Sequence, residues 1–413
     1  MLYVFCALKL ITNHLKIFRN LTEAVVESLR EIFVEKRYAD KVIEKILRQN
    51  PKWGARDRRF IAETTYDIVR WHRLYVHLMN VDGHDFWKLL AAWCVWNKVD
   101  LPGWQEFEGI DKGKFFERYD KAKYIIKIRE SIPDWLDALG QQELGDAWEE
   151  EIHALNEQAK VVLRVNTLKV SRADLQRQLK EEEIFAEAPT EFPDALVLEE
   201  RQNIFTRQQF KDGLFEVQDA GSQLIAPFIQ PLPGQRVIDA CAGGGGKTLH
   251  LAALMQNKGR IIALDTEAWK LDELKKRARR AGASDLIETR VIDSSKVIKR
   301  LENSSDRVLL DVPCSGLGVL RRNPDAKWKL SPEFIEEVKV TQQKILTDYS
   351  SMLKVGGLMV YSTCSILPSE NEKQVEQFLK ANVGKFDLEE QKSILPSVGF
   401  DGFFMARMKR VGK

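Results

Sequence analysis

The sequence predicts an α/β protein whose C-terminal half is a doubly wound parallel sheet, preceded by a helical domain. From Gly234 onward, apolar runs typical of buried strands alternate with segments of helical periodicity, which is the pattern of a parallel sheet covered by helices. Ahead of this region the apolar residues recur at helical spacing only, and a short stretch between the two mixes both patterns. We therefore expect an all-α domain over 1–144, a small α+β insert over 145–212, and a Rossmann-like domain over 213–413.

The N-terminal region has the pattern of a helical bundle. Ala24, Val25, Leu29 and Ile32 are spaced to share one helix face. The apolar stretch from Met1 to Leu10 is followed by lysines instead of being preceded by them, which predicts a docked helix and not a signal peptide. Many of the tryptophans fall in this region, and we interpret them as core residues. For the arginines between them, a solvated surface and an RNA-binding patch are both open interpretations; they are Arg56, Arg58, Arg59, Arg70 and Arg73.

The insert and the C-terminal domain follow in order. In the insert, a helix from Trp148 and another from Ser171 alternate with two strand-like runs, 161–165 and 195–198. Five strands are then predicted at 236–239, 260–265, 289–293, 307–311 and 358–361, with helices between them. Ser331-Pro332 marks the start of one helix, and the spacing of Ser369 and Glu372 is that of a capping box for another.

Composition narrows the class of protein. The 413 residues include 63 Lys and Arg against 61 Asp and Glu, so a binding site for a polyanion has to come from local clusters. The five cysteines contain no Cys-x-x-Cys pair, which argues against a disulfide framework and a zinc site and favours a reducing cytosol. No apolar run is long enough to span a membrane. We expect a cytoplasmic protein that binds no metal and no membrane.

A glycine-rich loop follows the first strand of the predicted sheet, in Asp239-Ala-Cys-Ala-Gly-Gly-Gly-Gly-Lys-Thr248. A phosphate-binding P-loop would need glycine where Cys241 stands, and a dinucleotide fingerprint would need glycine where Thr248 stands. An adenosylmethionine loop, with an acid closing the strand before the glycines, fits the spacing. Acids also close later strands, at Asp265, Asp293 and Asp311, where ligands of open parallel sheets bind.

Two cysteines follow strand-like runs of the same sheet, Cys314 after Pro313 and Cys364 after Thr363. Carbon 5 of a pyrimidine is a poor nucleophile until a group adds covalently at carbon 6, and a thiolate is suited to that addition. One cysteine would attack and the other would handle protons. The residues alone do not decide which does which.

Several motifs together resemble the RsmB/Nop2/Sun family of RNA 5-methylcytosine methyltransferases, whose catalytic domain is a class I S-adenosylmethionine-dependent fold. The resemblance is strong from about Gly213 onward, and the segment from Arg56 to Trp71 is similar to the NusB-like RNA-binding domain of the bacterial ribosomal branch. The motifs are 239–248, 311–325, 361–365 with Glu370-Asn371-Glu372, and 401–404.

The resemblance implies a role for each matching position. Cys364 would be the nucleophile, Cys314 would assist product release, and Asp311 would face both cofactor and cytosine. Asp265 would hold the ribose of S-adenosyl-L-methionine, and Asp293 the adenine side. The methionine part would lie against Cys241, Ala242, Gly243, Gly244, Gly245, Gly246 and Lys247.

The expected product is 5-methylcytosine in structured RNA, with the 16S ribosomal RNA or a partly assembled small subunit as partner and the enzyme as a monomer. Transfer RNA or 23S ribosomal RNA as substrate, and a non-catalytic RNA-binding assembly factor, are the alternatives. Arg321, Arg322 and Lys327 are candidates for lowering the pKa of Cys364 or for holding RNA phosphate, against a solvated loop. The basic run from Lys275 to Arg280 is predicted to be a solvated helix face, with an RNA-binding groove as the less favoured interpretation.

The glycine loop departs from the family pattern. The family usually has Ala-Pro-Gly-Gly where this chain has Gly243 to Gly246, and often Arg where it has Lys270. Loss of the proline is expected to make the loop more flexible before the cofactor binds.

Overall fold

The computed structural model describes residues 16–412, which form two compact units. The helical unit consists of residues 16–158 and 320–332, and the sheet unit consists of residues 159–319 and 333–412. The expected helix over Met1–Leu10 and Cys6 lie outside the described residues. The three-part division of the chain stays a prediction.

The helical unit is built around amphipathic helices, and its described residues contain no strand, as the sequence predicts. Val25 and Leu29 of the first helix are fully buried, and Trp93 is almost so. The partly buried tryptophans pack against the same core, which confirms their interpretation as core residues. The helices are α1 (Arg19–Phe33), α2 (Ala39–Gln49), α3 (Ala55–Arg70), α4 (His72–Met79), α5 (Phe86–Trp96), α6 (Lys112–Ala122), α7 (Ile126–Arg129), α8 (Asp134–Leu144) and α9 (Trp148–Leu155).

The sheet unit contains two sheets. The remaining elements in chain order are β1 (Val162–Val165), α10 (Arg172–Glu181), β2 (Ala186–Glu187), β3 (Ala195–Leu198), α11 (Gln208–Lys211), β4 (Phe215–Val217), α12 (Ala220–Gln223), α13 (Ile225–Phe228), β5 (Arg236–Asp239), α14 (Gly246–Leu254), β6 (Arg260–Asp265), α15 (Ala268–Ala281), β7 (Ile287–Val291), α16 (Ser295–Lys299), β8 (Ser305–Asp311), α17 (Ala326–Lys329, in the helical unit), α18 (Pro332–Tyr349), β9 (Leu353–Thr363), α19 (Glu372–Ala381), β10 (Phe386–Ile394) and β11 (Phe403–Arg410).

The larger sheet is doubly wound, as the sequence predicts. Its seven strands have the order β10-β11-β9-β8-β5-β6-β7. Strands β5 to β9 pair in parallel, whereas β11 and β10 join antiparallel at one edge. The chain runs from β5 outward to β7 and then returns to β8 on the other side of β5. The switch in winding direction therefore lies between β5 and β8, where open α/β sheets bind ligands. The smaller sheet is antiparallel, with the order β2-β3-β1-β4.

Alternation along each central strand fills two hydrophobic cores. Val237 points into one core with residues of α14 and α15, while Ile238 points into the other with residues of α18 and α19. Both residues are fully buried. Because both faces of the strands are covered, their sequences are apolar without interruption, which is the signal that predicted a parallel sheet.

The sequence predicted where two helices of the sheet unit begin, and one of the two predictions is confirmed. α18 begins at Pro332, as predicted. The capping box from Ser369 to Glu372 is wrong, because α19 begins at Glu372 with Asn371 as its N-cap. The Asn371 side chain bonds Thr363 and Ser365 instead of the helix end, so the residues before α19 hold the loop after β9. Among residues 16–412, no helix is both long and apolar enough to cross a bilayer.

Candidate active site

Acidic and thiol side chains meet at the carboxyl edge of the large sheet. β5, β6 and β8 end at Asp239, Asp265 and Asp311, and β9 ends one residue before Cys364. Asp239 and Asp311 belong to the two strands that flank the change in winding direction. Because these strands are parallel and in register, their ends lie at one edge of the sheet. This edge is the candidate active site.

The glycine loop adopts a conformation that side chains would resist. Gly243 and Gly245 have φ angles of 53° and 87°, in the left-handed region that favours glycine. A Cβ atom at Gly245 would lie 2.5 Å from the Leu274 Cγ atom, so the loop packs closely on α15. The Gly243 N–H donates to Asp265 Oδ2 at 2.9 Å, which ties the loop to the end of β6. The N-terminus of α14 is thereby directed at the sheet edge, where unpaired N–H groups favour anionic or polar ligands.

A cavity of about 320 Å³ opens in front of this loop. Of the residues predicted to bind the cofactor, Gly245 and Asp265 are not among those lining the cavity, and Asp293 is exposed with its Oδ1 accepting from Ser294. The predicted residues that do line it are Cys241, Ala242, Gly243, Gly244, Gly246, Lys247 and Asp311. The lining residues that the sequence prediction missed are Val217, Gln218, Ser222, Asp239 and Arg277.

Asp239 lies at the back of the cavity and is 1% exposed. Its Oδ2 accepts from the Thr248 hydroxyl at 2.7 Å, while its Oδ1 has no hydrogen-bond partner in the described chain. Burial raises the pKa of Asp239 to about 7, and the nearby negative charge of Asp311 adds to the effect. A buried carboxyl oxygen without a partner is costly, so Asp239 is a ready acceptor for a hydrogen-bond donor that enters the cavity.

Lys247 provides the positive charge of the site. Its Nζ lies 2.6 Å from Asp311 Oδ2, and the Ser362 hydroxyl donates to the other Asp311 oxygen at 3.0 Å. Burial favours a lower pKa for Lys247, but Asp311 and the negative charge of the Cys364 thiolate outweigh it, so the pKa is raised. Lys247 therefore stays protonated at neutral pH and faces both a carboxylate and a thiol.

The two predicted thiols are in contact. Cys314 Sγ and Cys364 Sγ are 3.3 Å apart and share a hydrogen bond. That hydrogen bond, followed by burial and by the charge on Cys364, raises the pKa of Cys314 well above its ordinary value. Either sulfur can donate in this contact, so the distance alone does not distinguish the two thiols. The assignment of Cys364 as nucleophile and Cys314 as its assistant stays a prediction from the resemblance.

A buried carboxylate joins the loops that carry the thiols. Glu370 is fully buried; it accepts from the Ser315 N–H at 2.8 Å and from the Ser315 hydroxyl. It also accepts from the Ser365 hydroxyl at 2.6 Å and from the Gln342 amide at 3.0 Å. Ser315 and Ser365 directly follow Cys314 and Cys364, so one carboxylate fixes the positions of both thiols. Sequence reasoning assigned Glu370 no role. Its position, a few residues after Cys364-Ser365 and just before a helix, could have indicated that it supports the thiol loop.

The sequence predicted that Arg321 and Lys327 either act at the thiols or on RNA phosphate, or lie in a solvated loop. Both expectations are wrong. Both residues are buried in the helical unit, at 4% and 1% exposure. Arg321 donates to the Ala154 carbonyl at 2.5 Å, and Lys327 donates to the Arg70 carbonyl at 2.8 Å. Arg322 belongs to the same segment and is half-buried.

Arg70 is also turned inward, donating to the Arg321 carbonyl at 2.8 Å, so it does not belong to an exposed patch. Arg56 and Arg59 remain exposed.

The basic run on α15 is divided between two faces. Lys275 and Lys276 are exposed, as predicted. Arg277 and Arg280 instead bind the buried Glu216 of β4, both within 2.9 Å, and Arg277 also donates to the Gly244 carbonyl at 2.7 Å. Arg277 and Arg280 are three residues apart and therefore lie on one face of the helix. This spacing could have predicted that they share a partner.

Comparison with known proteins agrees with this site. Residues 226–409 match the family model described as 16S rRNA methyltransferase RsmB/F, and residues 132–205 match the ferredoxin-like domain of RsmF/B-like methyltransferases. A probable ribosomal RNA small subunit methyltransferase B of Synechocystis is 33% identical over 389 residues, covering 85% of this chain and 87% of that protein.

Solved structures have the same fold. The crystal structure of PH0851 superposes with a TM-score of 0.80 at 25% identity and covers 96% of this chain and 100% of that one. NSun6 from Pyrococcus horikoshii, crystallised with SFG, has a TM-score of 0.63 at 21% identity and covers 68% of this chain and 99% of that one. With a relative this similar over most of its length, the chain belongs to the RsmB/Nop2/Sun family of RNA methyltransferases.

Proposed function

We propose that this protein methylates carbon 5 of a cytosine in structured RNA, with S-adenosylmethionine as methyl donor and small-subunit ribosomal RNA as substrate. The observation that carries the proposal is the pair of thiols 3.3 Å apart at the same sheet edge as Lys247 and Asp311. Methyl transfer to oxygen or to an exocyclic amine does not need a sulfur nucleophile, whereas transfer to carbon 5 of a pyrimidine does. The name of the Synechocystis relative supports the ribosomal small subunit as the substrate.

The cavity suits S-adenosylmethionine. Its wall carries Asp239 and Asp311, whose carboxyl groups complement an ammonium and a sulfonium, and Asp239 offers an unpartnered oxygen. Cys241 to Lys247 would hold the methionine part, Asp265 the ribose and Asp293 the adenine side. SFG is an analogue of S-adenosylmethionine, and its presence with NSun6 supports the same class of cofactor here. When bound, S-adenosylmethionine supplies an electrophilic methyl group for carbon 5.

The first step is addition of the Cys364 thiolate to carbon 6 of a cytosine that has left its base stack. Lys247 places a positive charge near the attacking sulfur and the ring. Addition pushes electron density toward N3 of the ring, where the Lys247–Asp311 pair stabilises it by hydrogen bonding or by giving a proton. Carbon 5 thereby gains the electron density that it needs to accept a methyl group.

The second step removes the carbon 5 hydrogen, and in it the contact between the two thiols controls the proton on Cys314. Before addition, the hydrogen bond and charge of Cys364 hold the proton on Cys314. Once Cys364 is bonded to carbon 6, that charge is gone, and the Cys314 proton passes to solvent water, which leaves Cys314 as a thiolate that can act as a base. Cys314 then takes the hydrogen from carbon 5, the electron pair of that bond re-forms the ring double bond, and Cys364 leaves as a thiolate.

Single alanine replacements of the two cysteines test the proposal. Each protein is incubated with cellular RNA and tritiated S-adenosylmethionine, and digested nucleosides are analysed by mass spectrometry. Cys364→Ala is expected to form no 5-methylcytosine, whereas Cys314→Ala should accumulate a protein–RNA adduct that survives a denaturing gel. Cys94→Ala is the control, because Cys94 is buried in the helical core.

Each outcome is informative. The reverse pattern would exchange the roles of the thiols, and methylated transfer RNA or 23S ribosomal RNA instead of the small-subunit RNA would change the substrate. Absence of 5-methylcytosine from every RNA treated with the wild-type protein would overturn the proposed reaction.

A further inference from the structure

The helical unit contains a basic cavity that the proposed reaction does not use. It has a volume of about 620 Å³. Four of its lining residues are basic: Arg73 and His77 on α4, and Arg118 and Lys121 on α6. The others are apolar or neutral, and no acidic residue lines this cavity within the part of the chain that the structure describes. We call this site the basic cavity.

Both arginines of the basic cavity donate to backbone carbonyls, and Arg73 also forms a salt bridge with a carboxylate. Arg73 donates to the Ile132 carbonyl at 2.6 Å and to Asp134 at 2.9 Å, and Arg118 donates to the Leu78 carbonyl at 2.8 Å. No carboxylate within residues 16–412 lies at salt-bridge distance from Arg118. A guanidinium fixed by a carbonyl keeps its full charge and its remaining N–H donors, and this arrangement suits a phosphate oxygen.

The positive charge inside the basic cavity affects the pKa of His77. Burial, followed by the positive charges of Arg118 and Arg73, lowers the pKa of His77. Lys121 pairs with Glu117 one turn away, but both side chains are more than half exposed, so water and salt screen that pair. The basic cavity therefore has an excess of positive charge that an anion would relieve.

An exposed aromatic side chain lies in the segment between two of the lining residues. Tyr124 is 79% exposed and follows Lys121 by three residues, ahead of Ile128. The Lys123 Nζ atom lies 5.4 Å from the centroid of the Tyr124 ring, so the exposed ring stands beside a cation. Aromatic rings next to basic residues are the combination with which proteins bind unpaired RNA, because bases stack on the ring while cations hold the phosphates.

We propose that the basic cavity binds backbone phosphate groups of the RNA substrate and that Tyr124 stacks against a neighbouring base. This inference rests on the proposed function only in taking RNA as the substrate. It assigns the contact to α4, α6 and the residues after α6, and not to the arginines of α3.

Charge removal on one helix tests the proposal. Arg118→Gln with Lys121→Gln removes two charges from the basic cavity, whereas Lys112→Gln with Lys114→Gln removes two exposed charges from the other end of α6. Binding of fluorescein-labelled small-subunit ribosomal RNA, transcribed in vitro, is measured by anisotropy at several salt concentrations. Loss of two phosphate contacts should weaken binding about tenfold and reduce the slope of log K against log salt by roughly 1.5. Tyr124→Ala should weaken binding with the slope unchanged.

Folding is controlled with milder variants. Arg118 supports a backbone carbonyl, so Lys121→Gln alone and the charge-preserving Arg118→Lys are measured together with thermal unfolding. Lys121→Gln should lower the slope by about half as much as the double variant, and Arg118→Lys should retain it. Wild-type affinity and slope in the cavity variants, or an equal loss in the Lys112 and Lys114 control, would overturn the proposal.

A small anion is distinguished by calorimetry with inorganic phosphate and adenosine monophosphate. Tight binding of either to the wild type, without any change of RNA binding in the cavity variants, would assign the cavity to a free phosphate compound and overturn the RNA contact. Methyl transfer is measured separately. If no RNA is methylated but the cavity variants still lose RNA affinity, the proposed function fails and the RNA site stands.

Discussion

A lysine, a carboxylate and two thiols determine where protons lie at the sheet edge. Asp311 raises the pKa of Lys247 against the effect of burial, and the hydrogen bond shared with Cys364 raises the pKa of Cys314. In the proposed reaction, a bond from Cys364 to the substrate would remove the hydrogen bond that raises the pKa of Cys314 and so prepare Cys314 for its role in the second step.

Asp239 makes stability depend on pH. Its pKa is about 7 in the folded protein and about 3.9 in an unfolded chain, so the folded state binds the proton more tightly. The resulting stability is fully present below about pH 4 and is lost as the pH rises toward 7. Asp239→Asn keeps an acceptor for Thr248 and removes the charge, so its unfolding temperature should exceed that of the wild type at pH 8. The gain should be at most about 4 kcal/mol and should vanish near pH 4.

Thermal unfolding of both proteins from pH 4 to 8 measures this difference. The exposed Asp285→Asn provides the control, because that aspartate loses no water on folding. A stability difference between Asp239→Asn and the wild type that does not change with pH would contradict the assignment of the raised pKa to burial.

Residue type and strand position were sufficient to predict that Asp311 and the two thiols lie at one edge of the sheet. Asp311 and Cys364 follow apolar strands, and strands of one parallel sheet end at one edge, so their proximity follows from topology. The direction of long basic side chains does not follow in this way. Lys327 and Arg277 have charges that exposure would satisfy equally well, and only the carbonyls and carboxylates contributed by distant segments draw them inward.

At the scale of elements, the glycine loop has two neighbouring positions with opposite constraints. At Gly245 the φ angle is 87° and a Cβ would lie 2.5 Å from Leu274, whereas at Gly244 a Cβ would lie 3.3 Å from the Arg277 guanidinium, which has to shift by only a few tenths of an ångström. Gly245→Ala should destabilise the protein by roughly 1–3 kcal/mol and weaken S-adenosylmethionine binding. Gly244→Ala should leave stability unchanged or raise it slightly, because it reduces the freedom of the unfolded chain.

Thermal unfolding and calorimetric cofactor titration of both variants measure these effects. Similar behaviour of the two alanines would show that the loop rearranges freely. Tighter cofactor binding by Gly244→Ala would support the expectation that the glycine-rich loop is more flexible than an Ala-Pro-Gly-Gly loop.

Glu370 joins the turns after β8 and β9. Glu370→Gln preserves shape but directs an amide group toward N–H and O–H donors, so at least one donor to the carboxylate loses its acceptor. We expect a loss of about 1–3 kcal/mol in stability and a decrease in kcat on the order of 100-fold, because the thiols lose their alignment. KM for S-adenosylmethionine should change little, since Glu370 does not line the cofactor cavity.

Glu376→Gln on the exposed face of α19 is the matched control. A variant that loses stability but keeps the wild-type kcat would show that Glu370 supports the fold without positioning the thiols.

The strand at the edge of the large sheet shows where pattern recognition fails for an element. β10 is buried only at its two ends, with exposed residues between them, and among residues 16–412 its one pairing strand is β11. Its sequence, Phe-Asp-Leu-Glu-Glu-Gln-Lys-Ser-Ile, has no regular alternation because neither face is covered along most of its length. The central strands were predicted because burial on both faces required apolar residues. β10 is held mainly by its backbone hydrogen bonds to β11, so its sequence does not have to be apolar.

At the scale of the whole molecule, the helical unit is not a single continuous stretch of the chain. Residues 320–332 leave the sheet unit after Val319 and complete the helical unit. Asp325 accepts from the Ala39 N–H at 3.0 Å, and Trp328 donates to the Val69 carbonyl at 2.7 Å while packing on the helical core. No local pattern predicts this, because five of the thirteen residues in the segment are charged and two are prolines, a composition typical of a surface loop.

A fragment that ends at residue 158 should therefore be incomplete. Without residues 320–332, the Ala39 N–H and the Arg70 carbonyl lose partners, and the core loses the cover of Trp328. We expect the fragment 1–158 to unfold at a lower temperature and less cooperatively than when a synthetic peptide of residues 320–332 is present. Because the peptide binds only the folded fragment, the unfolding midpoint should rise with peptide concentration. Circular dichroism with the native peptide, and with a peptide carrying Asp325→Ala and Trp328→Ala as control, measures the effect. A fragment whose midpoint is the same with no peptide and with either peptide would show that the helical unit folds without this segment.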